Sequence, residues 1–160
     1  MAHKQRQEGS FFAHGLLSSS ITFVFASEDY AFRRTLVPHI KAVGRHDAVL
    51  STPMGYSDER YTNYGLVFYE AGYWKEAERL DVQVLEMSRR FLGEEHPYTL
   101  TSMGDLASTY SNQGRWKEAE QLEVQVLETR KRVLGEEHPD TLRSISDLAH
   151  ILKYMGEVRK

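Results

Sequence analysis

The stretch LGEEHPYTL at residues 92–100 returns 42 residues later as LGEEHPDTL at 134–142. The likeness extends upstream: residues 74–100 and 116–142 agree at 20 of 27 aligned positions. Trp74 pairs with Trp116, Gly93 with Gly135, His96 with His138, Pro97 with Pro139 and Thr99 with Thr141. Gly72, Gly114 and Gly156 keep the same step, and a weaker copy aligns Phe68 with Tyr110 and Leu152. A period of this length marks stacked supersecondary units, each unable to bury its apolar face alone. It constrains the fold more than any single motif in the chain.

Each unit reads as two helices. In SMGDLASTYSNQG, Met103, Leu106, Ala107 and Tyr110 recur at steps of three and four, the helical period, and Gly114 with its polar flanks ends the run. WKEAEQLEVQVLETRKRVLG begins a second helix. Ala119, Leu122, Val126 and Val133 form its stripe, widened by Val124 and Leu127, as suits a helix packed on two sides. Glu118 and Glu120 crowd its start and Arg130, Lys131 and Arg132 its end, the distribution a helix dipole favours. Such a basic cluster is first of all a solvated helix end.

The repeated nonapeptide could be chemistry or punctuation. Glu94, Glu95 and His96, or Glu136, Glu137 and His138, are possible ligands and proton carriers. A zinc-protease helix, however, needs two histidines one turn apart with a glutamate between them. Here the second histidine is missing, and Pro97 or Pro139 breaks any helix that would present it. As punctuation the segment is complete. Gly135 stands where a left-handed C-terminal cap is expected. His138 is biased to extended backbone by the proline after it. Pro139 fits the first turn of the next helix. Asp140 adds negative charge there.

Other chemistry lacks its signature. The sequence holds no GxxxxGK[ST], GxGxxG or GxSxG pattern. It has no cysteine, which removes disulfides, thiolate catalysis and cysteine zinc sites. A formal net charge of −3 with no large basic patch argues against nucleic acid as a partner. No apolar run approaches the roughly 18 residues of a membrane span, so no membrane partner is expected. FFAHGLLSSSITFVFA after a mildly basic start imitates a secretory signal only loosely, diluted by His14, Gly15 and Ser18 to Ser20. A cytoplasmic setting is the expectation. No catalytic, cofactor-binding or metal site is assigned, and an enzyme, such as a metal-dependent hydrolase using the histidines and glutamates, is the remote alternative.

LASTYSNQGRWKEAEQLEVQVLETRKRVLGEEHPDTL resembles the tetratricopeptide repeat in its 42-residue, kinesin-light-chain-like form. Leu106, Ala107, Tyr110, Ala119 and Leu122 stand at that family's signature packing positions. The resemblance covers residues 57–160, most strongly 72–156. It implies an all-α solenoid of antiparallel helix pairs, a non-enzymatic scaffold that binds a protein or peptide on its concave side. The first helices of such pairs line the groove, which points to Thr101, Gly104, Ser108, Ser111 and Asn112, then Ser146 and His150. Trp74, Trp116, Tyr110, Ala107, Ala119 and Leu122 are expected in the core. Gly104 with Asp105, and Ser146 with Asp147, replace the adjacent asparagines of kinesin light chains. The lysine and asparagine clamp of chaperone-tail binders is also absent. Asp81 and Glu123 occupy a usually aromatic position: either that edge is left wet, which is the expectation, or the acid has a partner, since an unpaired buried carboxylate would be costly.

WKEAEQLEVQVLETRKRVLGEEHPDTL is also similar to repeats in fungal NB-ARC and NACHT signalling ATPases. SEDYAFRRTLVPHIKAVGRHD, residues 27–47, looks like the segment joining their nucleotide-binding module to the repeats. An alternative function follows, a regulatory fragment acting on such an ATPase in trans. Residues 1–56 then form a connector-like region, partly disordered or with a short helix near FRRTLVPHIKAVG, ending at Gly44. HDAVLSTPMGYS reads as a loop. About two and a half repeats fill 57–160, with helices near 57–71, 74–92, 97–112, 116–134 and 139–155. The last of these lacks a partner helix. Leu148, Ile151, Leu152 and Met155 make it more apolar than a cap requires, so self-association or a partner through this helix is expected.

Overall fold

The computed structural model describes residues 32–46 and 59–158. Among the described residues a helical segment at 32–35 precedes six helices: α1 (Val37–His46), α2 (Glu59–Glu70), α3 (Trp74–Leu92), α4 (Pro97–Asn112), α5 (Trp116–Leu134) and α6 (Pro139–Val158). Among the described residues there is no strand, and the fold is all-α with repeated helix pairs. The signal-like start, most of the expected loop over 45–56 and the first residues of the expected 57–71 helix lie outside the described residues. Two expected boundaries move. α1 runs two residues past Gly44, because a glycine near a helix end weakens the helix without stopping it. α6 continues to Val158 rather than 155, past Gly156.

Two kinds of glycine joint make the pairs. At the end of α4, the Arg115 N–H donates to Tyr110 O at 2.9 Å and the Gly114 N–H to Ser111 O at 3.0 Å, with Gly114 at φ 77°. This is a Schellman cap, and its usual side-chain contact is present: the Arg115 guanidinium lies 3.9 Å from the Tyr110 ring centroid. The end of α2 repeats it: Tyr73 N–H reaches Phe68 O at 2.8 Å, Gly72 N–H reaches Tyr69 O at 3.0 Å, and the Tyr73 and Phe68 rings meet edge to face. Three-residue connections of this kind return the chain antiparallel to itself.

The joint inside the nonapeptide differs from the expected left-handed cap. Gly135 has φ 95° but ψ 164°, the extended region with positive φ that is essentially closed to other residues. Its N–H still closes the last turn on Lys131 O. The sequence GEEHP is then used residue by residue. His96 is extended, at φ −65° and ψ 137°, and its Nδ1 accepts the Tyr98 N–H at 3.2 Å. His138 Nδ1 accepts the Asp140 N–H at the same distance. The histidines are N-caps, taking a donor that the helix leaves unpaired. Glu94 pairs with Arg89 at 3.0 Å, and Glu136 with Lys131 at 3.9 Å, the same contact one repeat on. Glu95 reaches Arg132 at 2.7 Å. These exposed pairs add little stability; their repetition shows a preserved register.

The chain divides into two compact units, Met1–Leu80 and Asp81–Lys160, with the boundary inside α3. In the first, Leu36, Val37, Ile40, Tyr64, Val67, Phe68, Ala77 and Leu80 are buried, and Arg33 grips Glu70 through Nε at 2.7 Å and Nη2 at 2.9 Å. In the second, Leu85, Leu100, Met103, Leu106 and Val126 form a cluster, and Ala119, Ile151 and Met155 another, the two sharing Tyr110 as a neighbour. Each fully buried aliphatic side chain contributes about 1.5–3 kcal/mol over its exposed state.

The core expectation holds for Ala107 and Ala119, which are buried, while Tyr110, Trp116 and Leu122 are half-buried against the clusters. It fails for Trp74, which is 38% exposed at the first position of α3, where a side chain has no preceding turn to cover. Val133 of the expected stripe is likewise exposed, one residue from the end of α5.

Candidate functional site

The seven residues expected on the groove fall on α4 and α6 within the second unit. Thr101, Gly104, Ser108 and Ser111 recur at three and four along α4, with Asn112 beside them. Thr101 and Asn112 are exposed; the other three are half-buried. Several are tied to their own helix. The Thr101 hydroxyl donates to Pro97 O at 3.0 Å, the Ser111 hydroxyl to Ala107 O at 3.0 Å, and the Asn112 amide to Ser108 O at 2.9 Å. On α6, Ser146 and His150 are exposed one turn apart. The His150 ring lies 4.7 Å from that of Tyr154, which stacks parallel on Trp116 at 5.4 Å.

Beneath this polar surface α5 contributes two buried charges. Arg130 Nη1 donates to Ser144 Oγ at 2.8 Å and to Asp140 O at 3.2 Å, and Nη2 reaches Thr101 Oγ1 at 3.5 Å. One guanidinium thus ties α4 to α6. Glu123 is only 2% exposed. Burial pushes its carboxyl up to about 6; Asp147 adds to that, while a Ser144 hydrogen bond, Arg130 and Arg143 oppose it. Its Oε1 is enclosed without a hydrogen-bond partner among the described residues. Its Oε2 lies 3.8 Å from where a Cβ on Gly104 would stand, so the glycine of α4 sits over the carboxylate.

The edge expected to be wet is therefore closed. Glu123 is buried with compensating neighbours, and Asp81, half-buried, accepts the Thr109 hydroxyl at 2.6 Å. Both acids sit where a stacked helix supplies a hydroxyl, which offsets part of the cost of burying a carboxylate; for Glu123 the rest of that cost shows as its raised pKa.

Asp105 completes the cluster. Although more than a third of its surface is open, surrounding protein raises its carboxyl to about 6 against the pull of Arg143 and Arg130, with Asp147 adding repulsion. Asp105, Arg143 and Asp147 are all exposed around the small polar residues. Reasoning from the small residues alone passes over them. The signal was present: Asp105 and Asp147 hold the same place in consecutive repeats. What the arrangement offers is a polar, mixed-charge strip on a rigid support. Among the described residues, no three His, Asp or Glu side chains are placed to share a metal ion. No described helix is long and apolar enough to cross a membrane.

The tetratricopeptide repeat model matches residues 59–98 and 99–140, together just over half of the chain. The chain belongs to the tetratricopeptide repeat family. Its fold is similar to solved structures of nearly identical TPR-like repeats under the designation kinesin light chain from Podosopora anserina. One has a TM-score of 0.60 and 24% identity, over 81% of this chain and 66% of the other. A single-substitution variant of those repeats has a TM-score of 0.61 and 23% identity, over 98% and 81%. BtubC (BKLC) from P. vanneervenii is similar at a TM-score of 0.58 and 15% identity, over 97% and 67%. At such identities the likeness is one of fold. The chain spans slightly under two thirds of the first structure's length. No curated protein matches it in sequence.

Proposed function

We propose that this tetratricopeptide repeat protein is a non-enzymatic interaction module. It binds a protein or peptide along the strip formed by Thr101, Gly104, Ser108, Ser111 and Asn112 of α4 with Ser146 and His150 of α6. The observation that carries this reading is the anchoring of that strip from below: Arg130 fixes α4 and α6 together while small side chains leave the surface open. A rigid element presenting few bulky side chains suits recognition of an extended partner backbone. Asp105, Arg143 and Asp147 give both charges for orientation, which favours a partner segment of mixed charge over a uniformly acidic or basic one.

In this assignment residues 57–160 are the binding array and residues 1–56 a connector to it. Selection from a random-peptide display library tests the reading. Recovered peptides should lose binding to the exposed-site variants Asn112→Arg and Ser146→Arg while circular dichroism stays unchanged. Binding that survives both substitutions would place the partner elsewhere. The likeness of residues 27–47 to the connector of fungal NB-ARC and NACHT ATPases supports a second reading, regulation of such an ATPase in trans. Co-purification with one, lost with the same variants, is its test.

A further inference from the structure

The strip lies over a carboxylate that the fold accommodates at a cost. Glu123 of α5 is 2% exposed, and its Oε1 has no hydrogen-bond partner among the described residues. α6 brings a Ser144 hydrogen bond and the charges of Arg143 and Asp147 to it, and α5 itself brings Arg130. Arg130 is already engaged with Ser144 Oγ, Asp140 O and Thr101 Oγ1. On the α4 side the cover is Gly104. A Cβ placed on that glycine would meet one atom of the neighbouring helices within 4 Å, Glu123 Oε2 at 3.8 Å. The carboxylate therefore underlies the one residue of the strip that has no side chain; the counterparts of Gly104 in the flanking repeats, Thr62 and Ser146, both carry one. Asp105 of α4 and Asp147 of α6 stand exposed at the same seam, and Asp147 acts on both Asp105 and Glu123. Three carboxylates thus meet two guanidiniums. Despite Arg130 and Arg143, burial holds the Glu123 and Asp105 carboxyls at about 6, so the neighbouring cations do not fully compensate them. A buried acid with an unpaired oxygen is a group that cores avoid and binding sites keep.

We propose that this seam receives a cationic side chain, a lysine or arginine of the bound segment, which crosses Gly104 and places its charge among Glu123, Asp105 and Asp147. The inference rests on the reading of the strip as the binding face and adds what that face selects. The chemistry matches. Lysine and arginine carry only donors at their ends, and the three carboxylates carry only acceptors when ionised. The aliphatic stem of either side chain lies readily on the bare backbone at Gly104. A bond between a cation and a carboxylate shielded from water is stronger than one at open surface. Any side chain at position 104 would stand between the two, which gives the glycine a role that its weak helix propensity does not.

Peptides selected by display on the wild-type full chain are the probe. They should carry a lysine or arginine at one fixed position, and its neutral replacement, norleucine or citrulline, should weaken binding about tenfold or more. Glu123→Gln, which keeps the shape of the side chain, should cause a similar loss for the cationic peptide and little for the neutral one, so the two changes do not add. Gly104→Ala should also weaken the cationic peptide while the helix itself becomes more stable, which separates binding from folding. Selected peptides that lose binding to Asn112→Arg and Ser146→Arg but show no cationic position would leave the strip as the binding face and overturn this inference. So would cationic peptides indifferent to both Glu123→Gln and Gly104→Ala, since their attraction would then be to the chain's net charge of −3 at large. Recovery of no peptide, or only of peptides indifferent to Asn112→Arg and Ser146→Arg, would overturn the strip and this inference with it.

Discussion

α4 and α6 are copies by sequence register and differ in what surrounds them. α4 lies between α3 and α5, so Leu100, Met103 and Leu106 disappear into one cluster with Leu85 and Val126. α6 meets α5 on one side, and the equivalent Leu142 and Ile145 stay open. The polar ties differ as well. Asp81 takes the hydroxyl of Thr109 on α4, but the residue 42 positions later is Ile151, so Glu123 is left to Ser144 and to the field of Arg130. Where α5 has Arg130, α3 has Ser88, whose hydroxyl bonds Val84 O of its own helix at 2.7 Å. Backbone joints are what the repeat conserves; cross-helix polar contacts are re-invented in each copy.

Truncations at equivalent positions should expose that difference most strongly. Met103→Ala removes a fully buried side chain and should cost about 2–5 kcal/mol in denaturant unfolding, whereas Ile145→Ala should cost well under about 1 kcal/mol. Comparable losses at both sites would mean that the face of α6 is covered within the chain.

Next in size is the tie unique to α5. Arg130→Ala breaks the bonds to Ser144 and Asp140 O and leaves Glu123 with less compensation, a loss of about 2–3 kcal/mol. Ser88→Ala, its counterpart, removes one local bond and should cost about 1 kcal/mol or less. Equal effects would contradict a bridging role for Arg130.

Glu123 gives the comparison a pH signature. Its carboxyl titrates near 6 when folded, above the ordinary 4.5, so the folded chain holds more protons than the unfolded one between those values. Stability from this group is therefore present below about 4.5 and declines as pH rises through about 6, by on the order of 1–2 kcal/mol. Asp105 shifts the same way but is too exposed to add a comparable amount. Glu123→Gln should flatten this part of the profile and raise stability at pH 7 by a similar amount. A wild-type profile that rises between pH 4.5 and 6, followed by chemical denaturation, is the opposite outcome.

The smallest effects belong to the conserved joints and should be alike in both. His96→Ala and His138→Ala each remove a side-chain cap, worth about 0.5–1 kcal/mol in thermal unfolding. Strongly unequal losses would show that the two nonapeptides differ in role.

The helix count, the 42-residue register and the turn role of GEEHP were legible because glycine and proline act locally and periodicity reports the buried face. His96 as a cap through Nδ1 was not legible, since histidine is an uncommon cap and only the extended backbone aims its ring at the next N–H. The burial of Glu123 was missed because it depends on Ser144 and Arg130, side chains on other turns that single-helix patterning cannot bring together. Asp105 and Asp147 are visible in the sequence at the repeat's asparagine positions, but only the fold brings Arg143 close to Asp105 as a charged border to the small residues of α4.

The most direct test of the account is amide chemical-shift mapping of a display-selected peptide titrated onto the labelled chain. Shifts should concentrate at residues 101–112 of α4 and 143–150 of α6, with the turns at 93–97 and 135–139 unmoved. Shifts centred on those turns would contradict it, because the repeated acid–histidine segment would then be the binding site and not the hinge between helices.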